Sequence, residues 1–154
     1  MDNTETIITK TPQETQKLGE KLAAYITNAK KEGTDVPHVV CLYGELGAGK
    51  TVLTQGFAKG LGLPSRLVSP TFIIVRRYDC KSYADYFYHV DLYRLQKTED
   101  IEHLGLAEIF GDQEAIVVVE WAERLGRLLP ASRIDVRWAG VTDDTRTITI
   151  SYGR

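Results

Sequence analysis

Hydrophobic positions along this chain fall into three patterns, and each predicts a different kind of element. Two runs are almost unbroken, HVVCLY (38–43) and AIVVVE (115–120). Continuous apolar runs of this length are the mark of strands buried on both faces. Other stretches alternate or are strand-like. ETIIT (5–9) reads as a short strand, and TFIIVRRY (71–78) and ADYFYHVD (84–91), joined by the polar link DCKS, read as a hairpin. IDVRWAG (134–140) and RTITISY (146–152), separated by the turn Thr142-Asp143-Asp144, read as a closing hairpin. The third pattern is helical. Thr11-Pro12-Gln13-Glu14 carries a capping threonine, a first-turn proline and a glutamate three residues on. Leu18, Leu22, Tyr25, Ile26 and Ala29 then follow at helical spacing. TVLTQGFAKGL runs helically up to Gly60-Leu61-Gly62, and 98–110 predicts a helix with Ile101, Leu104 and Ile109 inward. WAERLGRLL (121–129) reads as a short helix or turn. Strands interleaved with helices predict an α/β fold, a mixed central sheet flanked by helices in three layers.

Composition narrows this picture. At 154 residues and 17.3 kDa the chain has the length of one domain, taken as 1–154. That leaves no room for separate cofactor and substrate domains. The net charge of −2, from 19 Lys+Arg and 21 Asp+Glu, gives no global reason to bind nucleic acid or an anionic membrane. The 2 cysteines, Cys41 and Cys80, are too few for a disulfide framework, and Cys41 sits inside an apolar run as a buried thiol would. The N-terminus MDNTETIITK lacks the basic and apolar regions of a secretory signal. No apolar run approaches the roughly 18 residues that span a bilayer. Together these readings place the protein in the cytoplasm.

The most informative motif is GELGAGKT, Gly44 to Thr51, which fits G-x-x-x-x-G-K-[ST] without a gap. Its glycines open backbone conformations that let the loop's N–H groups turn inward and form an anion-binding nest. The helix behind it presents the positive end of its dipole. Glu45, Gly47, Ala48, Gly49 and Lys50 are therefore expected around a nucleotide's phosphates, with Lys50 on the β- and γ-phosphates and the Thr51 hydroxyl on magnesium. The context agrees, since a buried run precedes the motif and a helical stretch follows it. The dinucleotide spacing G-x-G-x-x-G is not met.

Phosphoryl transfer also needs acidic groups for the metal and the attacking water. In open α/β sheets ligands sit at the carboxyl ends of strands, so carboxylates closing apolar strands are the candidates. Glu120 closes AIVVVE and Asp91 closes ADYFYHVD. Glu120 is expected to hold magnesium, directly or through water. Asp91 is expected to position the attacking water or share in metal binding. Each also has a plain structural reading as a solvated carboxylate past a strand, or as a helix cap. His89 shares a strand face with Asp91, either orienting it or serving as a structural histidine. Thr71 lies in a loop about twenty residues past the phosphate loop, either as a γ-phosphate sensor or as a strand-start hydroxyl. Arg94 and Arg124 are charge-stabiliser candidates or surface arginines, and Trp121 is a core aromatic or a ring beside the nucleotide.

GELGAGKT, SPTF (69–72), HVDLYR (89–94) and EWAER (120–124), in this order and spacing, closely resemble the TsaE family, also called YjeE. The opening helix with Thr15 and Gly19 is similar to that family's, and the resemblance covers roughly residues 10 to 130. The phosphate loop alone is shared by very many proteins, whereas the four blocks together are specific. The resemblance implies a P-loop NTPase-like fold and a small Mg2+-dependent ATPase of threonylcarbamoyladenosine biosynthesis, a modification of tRNAs reading codons that begin with A. It implies ATP as the nucleotide. The TsaD–TsaB complex is the implied protein partner, and tRNA is met through that complex. By the same resemblance Gly47 to Lys50 cradle phosphates, Thr51 and Glu120 hold magnesium, Asp91 serves hydrolysis, Thr71 and His89 support the site, and Thr15 approaches the adenine. The alternative reading is a small-molecule kinase with a P-loop.

Overall fold

The structure, a computed structural model, describes residues 3–45, 47–64, 74–80 and 84–153. Chain order runs β1 (Asn3–Thr9), α1 (Pro12–Glu32), β2 (Val39–Tyr43), α2 (Lys50–Gly60), β3 (Val75–Asp79) and β4 (Tyr86–Asp91). It continues with α3 (Thr98–Glu102), α4 (Leu106–Gly111), β5 (Ala115–Glu120), β6 (Ile134–Val141) and β7 (Arg146–Tyr152). The strands form one mixed sheet in the order β1-β7-β6-β2-β5-β4-β3. β2 pairs in parallel with both β5 and β6, and β4 pairs in parallel with β5. The β3–β4 and β6–β7 hairpins are antiparallel, and β1 closes the sheet antiparallel to β7.

Side-chain alternation along the strands builds two cores. Val40, Leu42, Ile116, Val118, Ile134 and Ile148 face α1 and α2, where Leu22, Ile26, Leu53 and Phe57 meet them. Val39, Cys41, Val117 and Val119 point the other way, against Ile101 of α3, Phe110 of α4 and Leu125. The α/β, three-layer architecture is thus as the pattern predicts. β2 and β5 are buried at every position, which explains their unbroken apolar runs.

α1 begins as its sequence announces. The Thr11 hydroxyl accepts from Glu14 N–H at 3.1 Å, and the Glu14 carboxylate accepts from Lys10 N–H at 2.9 Å. α1 and α2 then approach to backbone contact. A Cβ on Gly19 would lie 2.1 Å from the Leu53 carbonyl, and one on Gly56 would lie 1.9 Å from the Gln16 carbonyl. Only glycine fits at this crossing, which fixes the first turns of α1 beside the start of α2.

Elsewhere the structure differs from the sequence pattern in detail. The helix expected over 98–110 divides into α3 and α4 at Gly105, whose φ of +73° breaks the turn. Residues 121–129 form two separate 3-10 turns, Ala122–Arg124 and Gly126–Leu128. β6 carries a bulge, its register on β7 shifting between Trp138 and Gly140. Of the strand expected over 71–78, residues 71–73 lie outside the described residues, the chain bends at Ile74, and β3 runs Val75–Asp79.

Candidate functional site

Register brings the candidate residues to one place. Leu42 of β2 pairs with Glu120 of β5, and Glu120 pairs with Asp91 of β4, so three parallel strands end level with one another. The phosphate loop leaves β2 at this line and turns into α2. Gly49, the residue before that helix, has φ +114°, a conformation that a residue with a Cβ rarely adopts. The first turn of α2 has no side-chain cap and no acidic residue. Its N–H groups and the positive end of its dipole are thus of the kind that receive an anion.

Glu120 is the hub of the site. It is 2% exposed, yet both carboxylate oxygens are bonded. Thr51 Oγ1 donates to Oε1 at 3.1 Å, and Thr54 Oγ1 approaches Oε2 at 3.4 Å. His89 Nε2 lies 2.5 Å from the same Oε2, with His89 itself 3% exposed. A buried carboxylate is tolerated only when its oxygens are satisfied, and His89 with two hydroxyls engages both of them. His89 thus engages Glu120 rather than standing only as a neighbour of Asp91. Asp91 is half-buried one strand over, and its Oδ1 accepts from Tyr93 N–H at 3.0 Å, shaping the turn after β4.

Lys50 is folded back into the loop. Its Nζ donates to the Gly44 carbonyl and, at 3.0 Å, to the Glu45 carbonyl, and it stands 3.9 Å above the Trp121 ring. Burial lowers its pKa from the ordinary 10.5, against the opposing pull of Glu123, Glu120 and Asp91. Trp121 is the one non-glycine residue with positive φ (61°) among the described residues. Its ring meets both Lys50 and the Arg124 guanidinium, the latter 4.9 Å away. Arg124 donates to the carbonyls of Leu92 at 3.0 Å, Tyr93, and Leu95 at 3.3 Å. It is a clamp on the turn that carries Asp91.

A cavity of about 400 Å³ borders the loop at Gly44 and Glu45, with Trp121 and Trp138 of β6 in its wall, and two more lie along the loop. One of about 330 Å³ is lined by Lys50, Thr51, Asp91, Tyr93, Glu120 and Trp121. The other, about 290 Å³, opens on the far side between Lys10 and Thr15, Gly49, and the hairpin residues Asp143, Asp144 and Arg146. Thr15 is buried there, its hydroxyl 2.7 Å from that of Thr9. Thr71 and the SPTF block lie outside the described residues.

The donor set can be tested against magnesium. Among the described residues no group of three or more His, Cys, Asp or Glu could hold a metal. Magnesium with a nucleotide does not require one, because it keeps waters and takes one or two protein oxygens plus phosphates. Two oxygens on adjacent corners of an octahedron of about 2.1 Å radius stand about 3 Å apart. Thr51 Oγ1 and Glu120 Oε1, at 3.1 Å, fit that spacing.

Known proteins match along nearly the whole chain. The sequence model of the family described as "Threonylcarbamoyl adenosine biosynthesis protein TsaE" matches residues 9–148. The chain belongs to the TsaE family. A Bacillus subtilis relative named tRNA threonylcarbamoyladenosine biosynthesis protein TsaE is 38% identical over 143 residues, 93% of this chain and 82% of that relative. A Haemophilus influenzae relative of the same name is 35% identical over 134 residues, 87% of this chain and 80% of that relative. The crystal structure of Bacillus subtilis YdiB superposes with a TM-score of 0.73 at 34% identity, covering all of this chain (100%) and 88% of the other.

Some residues of this TsaE-family site are not singled out by the sequence pattern. Thr54 is the second hydroxyl on Glu120, and its place three residues after Thr51, on one helix face, is the signal that marks it. Arg146 Nε donates to the Ala48 carbonyl at 3.1 Å across 98 positions. No local spacing reveals that contact, nor the part of Asp143 and Asp144 in the cavity at Thr15.

Proposed function

We propose that this chain is an Mg2+-dependent ATPase serving threonylcarbamoyladenosine biosynthesis on tRNA. On this reading it binds and hydrolyses ATP as an accessory of the TsaD–TsaB complex and leaves the transfer chemistry to that complex. Family membership and the printed names of the relatives support the pathway. The observation that carries the ATPase reading is the joining of Thr51 to Glu120 at the start of α2, beside Asp91 and Lys50.

In this assignment the N–H groups of Gly47 to Lys50 hold the phosphates. Lys50 leaves the Gly44 and Glu45 carbonyls to meet the β- and γ-oxygens. Thr51 and Glu120 are the residues that would hold magnesium, which when bound neutralises charge developing on the phosphates. Because His89 engages Oε2, it keeps Oε1 turned toward Thr51. Asp91 accepts a hydrogen bond from the attacking water and orients it. The cavity at Thr15, Asp143 and Asp144 receives the nucleoside, with carboxylates placed to accept from ribose hydroxyls or an exocyclic amine. No described helix is long and apolar enough to cross a membrane, and the proposed place of work is the cytoplasm. With a net charge of −2, tRNA is met through the partner complex.

Turnover by the isolated chain is expected to be slow. Arg124 and Arg146 are both committed to backbone carbonyls, and an arginine on the transferred phosphoryl is worth about 10³–10⁵ in rate. The test is ATP hydrolysis by the wild type and by Asp91→Asn, alone and with TsaD–TsaB. The reading predicts slow basal turnover that rises with the partner complex, and its collapse in Asp91→Asn with ATP binding retained. Turnover that answers instead to a small metabolite would point to a kinase and contradict it.

A further inference from the structure

A hydrogen-bond donor is sealed beneath the phosphate loop. Trp138 of β6 is 9% exposed, and its indole Nε1 has neither a hydrogen-bond partner among the described residues nor contact with solvent. A buried indole N–H ordinarily finds an acceptor, and one without a partner weakens the fold. Tyr78 Oη is also buried without a partner, but it belongs to the aromatic stack of the β3–β4 hairpin. Trp138 lies against the site itself.

The placement of the ring indicates the acceptor. Its Cβ and Cε3 stand 3.2 and 3.6 Å from where a Cβ on Gly44 would be, and its Nε1 stands 3.5 Å from the corresponding point on Gly49. The indole therefore underlies the loop from end to end, with its nitrogen at the end where α2 begins. Its surroundings there are rich in donors. The first-turn N–H groups of α2 have no side-chain cap, and the Thr15 hydroxyl is engaged with Thr9. Donors that converge at a helix N-terminus without an acceptor are completed by an anion. Two features hold the ring in this place. The β6 bulge follows it directly, and bulges commonly re-aim a side chain beside a site. Arg146, on the next strand, ties the hairpin to the loop through the Ala48 carbonyl.

We infer that Trp138 is a nucleotide-contacting residue whose Nε1–H donates to an anionic oxygen of the phosphate chain. The oxygen belongs to the part shared by ATP and ADP. Gly49 borders both cavities along the loop, but Thr15, 3.9 Å from the same point on Gly49 that Nε1 faces, borders the nucleoside-side cavity alone, whereas Lys50, Asp91 and Glu120, which would face the γ-phosphate, line the other. The inference rests on the nucleotide-site reading above.

The experiment is calorimetric titration of wild type and Trp138→Phe with ATP and with ADP, beside melting curves of the nucleotide-free proteins. Both affinities should fall by the same factor of about ten or more, the weight of one hydrogen bond to a charged acceptor. A variant with benzothienylalanine at this position keeps the ring's shape without the N–H. It should reproduce the loss even if the phenylalanine variant melts earlier. In tryptophan-15N-labelled wild type, the indole signal missing from Trp138→Phe should move downfield when ADP is added. Unchanged affinities in the benzothienylalanine variant, or a loss confined to ATP, would overturn the inference. Lys50→Ala serves as the control. If it loses binding while the Trp138 variants do not, this inference alone has failed. If it too binds normally, the nucleotide reading fails and takes this inference with it.

Discussion

The two halves of the sheet are built differently. β2, β5 and β4 run parallel, with α1 and α2 on one face and α3, α4 and the 3-10 turns on the other. β6 and β7 give Ile134, Val136, Ile148 and Ile150, and β1 gives Ile7, to the helix-covered face alone, while Thr149, Arg137 and Thr6 alternate onto the opposite one. The doubly covered half carries the groups proposed to react. Its strands end level, so buried Glu120 and half-buried Asp91 stand side by side. The singly covered half supplies walls, namely Trp138 beneath the loop, Arg146 on the Ala48 carbonyl, and the hairpin acids.

This contrast can be broken at its strongest point first. Glu120→Gln preserves the shape of the hub and removes its charge. ATP turnover measured with the partner complex should fall by about a hundredfold or more, since a held metal contributes several kcal/mol to the transition state. Turnover within a few-fold of wild type would remove Glu120 from the reaction.

A smaller effect tests the packing side of the comparison. Phe87 on β4 is fully buried (0% exposed) and packs on Phe57 and Tyr78 at centroid distances of 5.8 and 6.0 Å. Phe87→Ala should cost about 3–5 kcal/mol in urea unfolding. Thr149→Val, on the uncovered face of β7, should change stability by no more than about 0.5 kcal/mol. Equal costs would mean that the face under α1 and α2 is packed no more tightly than the open face of β7.

How much of this was readable in the residues follows from the same contrast. The strands buried on both faces announce themselves as apolar runs, and a gapless G-x-x-x-x-G-K-T between strand and helix is local. Glu120 and Asp91 were legible because a carboxylate closing an apolar run is a local signal. Strand order was not, because nothing near Ile134 says that β6 lies parallel beside β2. The meeting of His89 with Glu120 depends on the β4–β5 register, and that of Arg146 with Ala48 on the β6–β7 hairpin folding over the loop. Gly105 divides a helix whose periodicity looks continuous, because one positive φ outweighs the pattern around it. Arg124, expected as a charge stabiliser or a surface arginine, is instead tied to the carbonyls of Leu92, Tyr93 and Leu95, which no local spacing reveals.

The smallest expected effect is a pH dependence in the singly covered half. Burial first, then the hydrogen bond Tyr152 Oη donates to Glu5 at 3.0 Å, raises the Tyr152 pKa from its ordinary 10.0 to about 12. The folded chain therefore holds this proton after the unfolded chain has lost it. The contribution is whole below pH 10 and disappears as pH rises toward about 12. Urea midpoints taken across that window should decline, and less steeply in Tyr152→Phe. An equal slope in both proteins would show that Tyr152 carries none of it.

The central claim is that nucleotide turnover at the ends of β2, β5 and β4 serves the modification of tRNA. It is tested most directly by reconstitution with the TsaD–TsaB pair, tRNA, ATP and Mg2+, following modified adenosine over repeated turnovers. Wild-type chain should sustain accumulation beyond the first turnover, and Lys50→Ala should stop it there. Equal accumulation with the two proteins would contradict the account.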